Sequence, residues 1–343
     1  MLKKVNGKNQ FICLGIESTA HTFGCSLVKL TRSLNRKKIL SDRKKTYTAP
    51  IGQGIHPREA SRHHMQNASE ILKKTLQDAR IKHNNIDLIA YSAGPGLGPC
   101  LRVGAVVART LSGYYNIPLI AVNHAIGHIE LGIYLTKCKN PLVLLVSGGH
   151  TMILAFSNKK WRVFGETLDI TIGQLLDQFG RSIGLSSPCG NKIEELASKS
   201  NKFHYLPYVV KGNDVSFSGI LTASKLSVNR GIDKFDICFS LQETAFAMIT
   251  EVVERALSFT GKKEILIVGG VAANKRLSSM LHIAAKRQKS KFFVCPIEYA
   301  GDNGSQIALT GISEYISTNK TTKIEQSFVK QSWRLDTVEV KWR

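Results

Sequence analysis

The sequence predicts an α/β fold built twice along one chain. Three observations predict it. Apolar strand-like runs alternate with helical stretches, which indicates layers of helix on sheet. A strand–polar turn–strand unit occurs twice, about 130 residues apart, too long a period for a solenoid. Each half also carries a strand that leads through a glycine-rich turn into a helix.

The elements follow in order. Phe11–Glu17 reads as a buried strand, Ser18-Thr19-Ala20-His21-Thr22 as a polar turn, and Phe23–Val28 as the returning strand. Ile86–Ser92 then leads through Gly94-Pro95-Gly96-Leu97-Gly98-Pro99 to a helix near Val103–Tyr114. The second half repeats the pattern: strand Pro141–Val146, turn Ser147-Gly148-Gly149-His150-Thr151, strand Met152–Phe156. Later, Glu264–Val268 leads through Gly269-Gly270 to Asn274 and a helix. The boundary is expected between Ile133 and Asn140, giving lobes 1–138 and 139–314, with a polar tail 315–343 docked by Trp333 and Trp342.

The 343 residues suffice for two ordinary domains, and 43% hydrophobic residues supply a core. The basic, polar stretch Met1–Gln10 lacks the apolar segment of a secretory signal, and no run reaches membrane-span length. A cytoplasmic protein without membrane attachment is expected. Seven scattered cysteines, an odd number with no CxxC pair, speak for reduced thiols rather than disulfides or a cysteine-rich zinc site. Forty-seven Lys and Arg against 25 Asp and Glu give a formal charge of +22. That excess suits a polyanion such as RNA, although a solvated basic surface is the plain alternative. Its clusters are Arg36-Lys37-Lys38, Arg43-Lys44-Lys45 and 286–291.

Several motifs carry chemistry. Two Ser/Thr/Gly turns between strands present backbone N–H groups that approach phosphates closely. Gly269-Gly270-Val271-Ala272-Ala273-Asn274 opens a helix after a strand and suits an adenosine or ribose contact; it is not the GxGxxG of a dinucleotide site. His124 and His128, at i and i+4, share one helix face and are suited to a common metal, though chance pairs at this spacing are about as frequent. Asp302, in a glycine-bounded turn, is the third ligand, and two histidines with one carboxylate leave positions open for substrate. Ala125 removes the glutamate of an HExxH metalloprotease. His63 and His64, adjacent on a helix, point apart and read as structural or RNA-facing. Asp177 and Glu194 are polar contacts of a ligand or plain solvated helix residues. No spacing marks a general base.

Together these segments resemble the tRNA N6-adenosine threonylcarbamoyltransferase family over nearly the whole chain. The matching pieces are Gly15–Gly24, Pro57-Arg58-Glu59-Ala60, Gly94–Gly98, Asn123–His128, Val146–Gly149, Gly269–Asn274 and Asp302-Asn303-Gly304. The branch resembled is archaeal. The resemblance implies a duplicated actin-like (actin/Hsp70/sugar-kinase) fold with two lobes around a nucleotide cleft. It implies transfer of threonylcarbamoyl from threonylcarbamoyl-AMP to the adenosine after the anticodon, in tRNAs reading codons that begin with A. It implies one divalent metal, iron or zinc, on His124, His128 and Asp302, and an ATP-type adenylate on Leu145, Val146, Ser147, Gly148, Gly149, Asp177, Gly190, Glu194 and Asn274. Partners would be tRNA and KEOPS-type subunits including a small protein kinase. The chain departs from the archaeal pattern at Leu145, where a tyrosine ligand is usual, and at His150, where asparagine is. Ser187-Pro188-Cys189-Gly190 stands in place of a Pro-Gly-Gly. A small-molecule kinase or a nucleotide-switched scaffold would use the same turns but leave the histidine pair idle.

Overall fold

The structure is a computed structural model that describes residues 9–31, 33 and 36–343. Residues 1–8 of the basic N-terminal stretch lie outside the described residues. The chain packs as two compact units, one of 1–47, 55–131 and 302–343, the other of 48–54 and 132–301. The sequence-based division at 138 and 314 follows chain order. Packing instead returns everything from Asp302 onward to the first unit, because helix Gly304–Thr318 covers that unit's sheet.

In the first unit, strands β1 (Gln10–Glu17), β2 (Thr22–Thr31), β3 (Arg36–Thr46), β4 (Leu88–Gly94) and β5 (Leu119–Asn123) form one sheet in the order β3-β2-β1-β4-β5. The pairings β1–β2 and β2–β3 are antiparallel, β1–β4 and β4–β5 parallel. Both faces of the sheet are covered, which explains why β1 is an unbroken apolar run rather than an alternating one. Phe11 and Cys13 pack with Ile307, Ala308 and Ile312 of helix Gly304–Thr318. Ile12, Leu14 and Ile16 face the other way, into a cluster with Ala68 and Ile71 of helix Pro57–Ala79 and Ala105 and Ala108 of helix Gly98–Tyr115. Gly15 allows the closest approach: a Cβ there would lie 2.2 Å from the Gly304 carbonyl oxygen. The tail docks on this unit, with Trp333 against its core and Arg343 on Glu130 at 2.8 Å.

The second unit repeats the plan. Strands β6 (Leu142–Val146), β7 (Thr151–Ser157) and β8 (Lys160–Glu166) are followed by the short pair β9 (Val210–Lys211) and β10 (Asp214–Val215), then by β11 (Glu264–Val268) and β12 (Lys291–Val294). The main sheet runs β12-β11-β6-β7-β8, with β6–β11 and β11–β12 parallel and β6–β7 and β7–β8 antiparallel. The first three strands of each half thus form a meander, and two later strands, β4 and β5 in the first and β11 and β12 in the second, add in parallel beside its first strand. This is the duplication that the two hairpins predicted.

In both sheets ligands are expected at the carboxyl ends of the parallel strands. There the first unit places Glu17 and His124. The second places Ser147 and Gly269. The Arg36-Lys37-Lys38 cluster needs one correction: Lys37 points inward and donates to Ser313 Oγ, and burial pushes its ammonium down to about 8. It is therefore no part of a surface patch.

Candidate metal centre and adenylate face

The metal centre belongs wholly to the first unit. β5 ends at Asn123, whose side-chain oxygen accepts the N–H groups of Ala125 and Ile126 at 3.0 and 3.2 Å and so starts helix His124–Thr136. His124 opens that helix, and His128 follows one turn later on the same face. Asn303 caps helix Gly304–Thr318 in the same manner, accepting from Gln306 N–H at 2.9 Å, and holds Asp302 just outside the helix. Each side of the cluster is therefore set by a capping asparagine beside a ligand.

One carboxylate oxygen of Asp302 lies 3.3 Å from His128 Nε2 and 3.6 Å from His124 Nε2. One ligand atom from each of the three residues falls within 4.8 Å of the others. The two imidazoles meet edge to face, with centroids 4.7 Å apart. Ligand bonds of about 2.0–2.2 Å in a tetrahedral site put donor atoms roughly 3.3–3.6 Å from one another, so both Asp302 distances already suit one ion. Two imidazoles and one carboxylate match the donor set of iron and zinc sites with open positions. The residues present therefore fit a divalent metal.

The electrostatics agree. Burial disfavours charge on His124, but Glu17 outweighs it and holds that ring up at about 9. Burial keeps His128 below its ordinary value. It works against the Asp302 carboxylate too, yet the His128 hydrogen bond and the charges of His124 and His21 hold that group well below the usual carboxylate range. Two carboxylates, Glu17 and Asp302, thus face the two buried imidazoles, and a metal bound at His124 Nε2 would displace a proton from that ring.

Sequence reasoning missed the residue behind His124. Glu17 has no exposed surface, and its Oε2 lies 2.9 Å from His124 Nδ1. Its only signal was a lone acid at the end of an apolar strand.

The adenylate residues expected from the sequence lie in the second unit: at the end of β6 and in the turn after it, on helices Ile172–Ser182 and Gly190–Ala197, and, for Asn274, at the start of helix Lys275–Arg287. Leu145 and Val146 are buried in β6, which leaves only their backbone for a ligand. Ser147 Oγ accepts the N–H of Gly149 at 3.2 Å and of His150 at 3.0 Å, and His150 Nδ1 lies 3.4 Å from that oxygen. Gly148 and Gly149 have open space where a Cβ would be. Gly269, at φ 96°, presses on this turn: a Cβ there would lie 2.2 Å from the Val146 carbonyl oxygen. Thr171 Oγ1 donates to the Gly148 carbonyl at 2.9 Å. Asp177 accepts the Cys189 N–H at 2.6 Å and so positions Gly190, the first residue of helix Gly190–Ala197. No internal contact demands glycine at 190. Glu194, one turn on, accepts the Lys275 N–H at 2.8 Å.

Asn274 does not project freely as its position suggested. Its oxygen caps helix Lys275–Arg287 through the Leu277 N–H at 3.0 Å, and its amide donates to Gln242 Oε1 at 2.9 Å. His64 is a core residue, donating to the Ala20 carbonyl at 3.0 Å, and His63 packs at a tilt against the Tyr47 ring. Of the basic clusters, Arg43 is paired with Asp78 and Lys45 with Asn67, whereas Lys286 and Arg287 end helix Lys275–Arg287, Lys289 lies in the turn after it and Lys291 opens β12, all four exposed. No helix among the described residues is long and apolar enough to cross a membrane.

Comparison with known proteins gives a consistent result. A family model described as tRNA N6-adenosine threonylcarbamoyltransferase (TsaD) matches residues 38–309. A protein of that name from Staphylothermus marinus is 49% identical over 337 residues, 96% of this chain and 99% of its own length. Another from Archaeoglobus fulgidus is 46% identical over 331 residues, 96% of this chain and 99% of its own. A Methanosarcina barkeri protein named as a probable bifunctional tRNA threonylcarbamoyladenosine biosynthesis protein is 47% identical over 98% of this chain but only 60% of its own length. Among solved structures, HypF of T. kodakarensis aligns with TM-score 0.60 at 14% identity, over 89% of this chain and 47% of that one. The activator of 2-hydroxyisocaproyl-CoA dehydratase from Clostridium difficile aligns with TM-score 0.52 at 14% identity, over 92% and 98%. These two show the fold alone, the duplicated actin-like α/β architecture.

Proposed function

The chain belongs to the tRNA N6-adenosine threonylcarbamoyltransferase family, and from that premise we propose how its residues divide the reaction. The enzyme is an acyl-type transferase. It moves threonylcarbamoyl from threonylcarbamoyl-AMP to N6 of adenosine 37, in tRNAs reading codons that begin with A, and releases AMP. The N6 amine forms a bond to the carbamoyl carbon, the bond from that carbon to the adenylate phosphate oxygen breaks, and the amine loses a proton.

His124, His128 and Asp302 hold a divalent ion, iron with zinc as the alternative, and the three-residue cluster is the observation that carries this reading. When bound, such an ion supplies Lewis-acid polarisation and a fixed anchor for the threonylcarbamoyl group. The backbone from Leu145 to Gly149, with Asp177, Gly190, Glu194 and Asn274, serves the adenylate. The open space at Gly148 and Gly149 supports phosphate contact through main-chain N–H groups. Asp177 and Asn274 act mainly by fixing the loops around the nucleotide, since their own polar atoms are engaged. Orienting the donor in this way lowers the entropic barrier to attack.

The reading extends to partners. The formal charge of +22 supports tRNA binding. KEOPS-type subunits, including a small protein kinase, are part of the proposal; the bifunctional name of the Methanosarcina relative supports a second function working beside this one. A cytoplasmic setting follows from the substrate. A kinase or a nucleotide-switched scaffold on this fold leaves the His124–His128–Asp302 cluster without a task. Incubation with threonylcarbamoyl-AMP and unmodified tRNA, followed by nucleoside mass spectrometry, tests the function. N6-threonylcarbamoyladenosine is expected, and unmodified adenosine throughout would overturn it.

A further inference from the structure

We propose that Glu17 is a positioning residue of the metal centre: its carboxylate fixes His124 with Nε2 turned towards Asp302, and ties the turn after β1 to that ring. This rests on the metal reading above.

Both oxygens of Glu17 are engaged. Oε2 lies 2.9 Å from His124 Nδ1, and Oε1 accepts the Thr19 N–H at 2.6 Å. An ionised carboxylate only accepts, so the proton at this contact sits on Nδ1. Loss of the other ring proton, which a metal would displace, then frees the Nε2 lone pair for a ligand bond, and Nε2 is the atom facing Asp302 at 3.6 Å. Thr19 Oγ1, at 3.3 Å, is a second oxygen on the Nδ1 side, and the Gln306 amide donates to Glu17 Oε2 at 3.5 Å. A flipped ring would set a C–H group against both oxygens. Carboxylate–histidine–metal arrangements work in this way, orienting the ring and raising its basicity.

Folding alone gives no reason for an acid here. The neighbouring residues of β1 are apolar, and burial of a carboxylate is costly unless it is paired. A glutamine would cap Thr19 equally well. What a negative charge adds is its pairing with the ring it faces. The same group also anchors the turn. The Thr19 carbonyl accepts the Leu97 N–H at 2.7 Å, and Gly96 is so close that a Cβ would lie 2.5 Å from that carbonyl oxygen. The ligand ring, the β1–β2 turn and the loop before helix Gly98–Tyr115 therefore form one hydrogen-bonded unit.

The test is a competition titration of Zn2+ and Co2+ against a chelating dye, using the full chain as wild type, Glu17→Gln, Glu17→Ala and His124→Ala. Glu17→Ala should bind metal about 10–100-fold more weakly, the usual effect of losing such a partner. Glu17→Gln should fall between, because its amide oxygen still accepts from Nδ1–H but carries no charge. Melting of the metal-free proteins separates folding from binding. If Glu17 only supports the turn, Glu17→Ala melts earlier yet binds metal like wild type, and that result overturns the proposal. Should Glu17→Ala fail to fold, the isosteric Glu17→Gln decides, wild-type affinity again being the adverse result. A wild type that binds no better than His124→Ala would instead remove the metal reading itself, and this proposal with it.

Discussion

The Glu194 carboxylate accepts the backbone N–H of Lys275 at 2.8 Å. A side chain on one helix thereby satisfies the first N–H of another, and the helix it meets is the one that Asn274 caps. Two residues expected from sequence to contact the adenylate thus converge on a single helix N-terminus, where the dipole favours an anion. Either could serve a nucleotide, the fold, or both, and their variants separate these roles.

Glu194→Ala should weaken ATP or adenylate binding roughly 10–100-fold, the effect of losing a hydrogen bond of about 1.5–3 kcal/mol to a charged group. Affinity for tRNA should stay nearly constant. Calorimetric titration of ATP measures the first and filter binding of tRNA the second. Wild-type ATP affinity would leave Glu194 with the helix cap as its whole function.

Asn274→Ala should lower stability by about 1–2 kcal/mol through the lost cap, with a further cost from the Gln242 oxygen left without its donor. Asn274→Asp keeps the cap acceptor and should recover much of the loss. Chemical denaturation of both variants reads this out. Equal stability of Asn274→Ala and wild type would show that the cap bonds contribute nothing.

Removing one metal ligand should abolish stoichiometric metal. His124→Ala and His128→Ala each leave two donors, too few for a closed site on either expected ion. Metal content after purification, by mass spectrometry, should fall from about one ion per chain to background. Unchanged content in both variants would reject the cluster.

Much of this was legible in the sequence, and the limits have physical reasons. The duplicated hairpins were readable because a strand buried on both faces is an uninterrupted apolar run, as at Leu142–Val146. His124 and His128 were readable because helical spacing is periodic. Glu17 was not, because its partner lies 107 residues away and no local pattern encodes that pairing. The bond from Asn274 to Gln242 was hidden for the same reason: Gln242 sits on a helix 32 residues earlier. The return of residues 302–343 to the first unit depends on the close approach of Gly15 and Gly304, which is a property of two backbones and not of either segment alone.

The basic clusters should differ in their effect on RNA. Arg43 and Lys45 are engaged with helix Pro57–Ala79, while Lys286, Arg287, Lys289 and Lys291 are largely exposed. Every phosphate that the protein ceases to neutralise lowers the slope of log affinity against log salt by about 0.7–0.9. Changing Lys286, Arg287, Lys289 and Lys291 to Ser should therefore flatten the salt dependence of tRNA binding more than changing Arg43, Lys44 and Lys45. Equal slopes for wild type and the 286–291 variant would exclude that surface from phosphate binding.

Acid should destabilise the fold through His64. Its Nε2–H donates to the Ala20 carbonyl at 3.0 Å, while Nδ1 is buried with no hydrogen-bond partner among the described residues. The neutral ring fits; a second proton would have no acceptor. Burial, with His63 beside it, accordingly pushes His64 down to about 4. The sign follows from linkage. Between the ordinary histidine value near 6.5 and about 4, the unfolded chain binds this proton and the folded chain does not. Stability contributed by the neutral ring is thus complete above about 6.5 and is lost as pH falls through that window, on the order of 3 kcal/mol in total. His64→Gln can keep a donor near Ala20 but has nothing to titrate. It should be less stable than wild type at pH 7.5, since the packing against Phe23 changes, yet lose less on going to pH 4.5. Urea midpoints at the two pH values, compared as a difference of differences, cancel the other histidines and carboxylates. The same pH-dependent loss in wild type and variant would show that His64 takes up its proton in the folded protein as easily as in the unfolded chain.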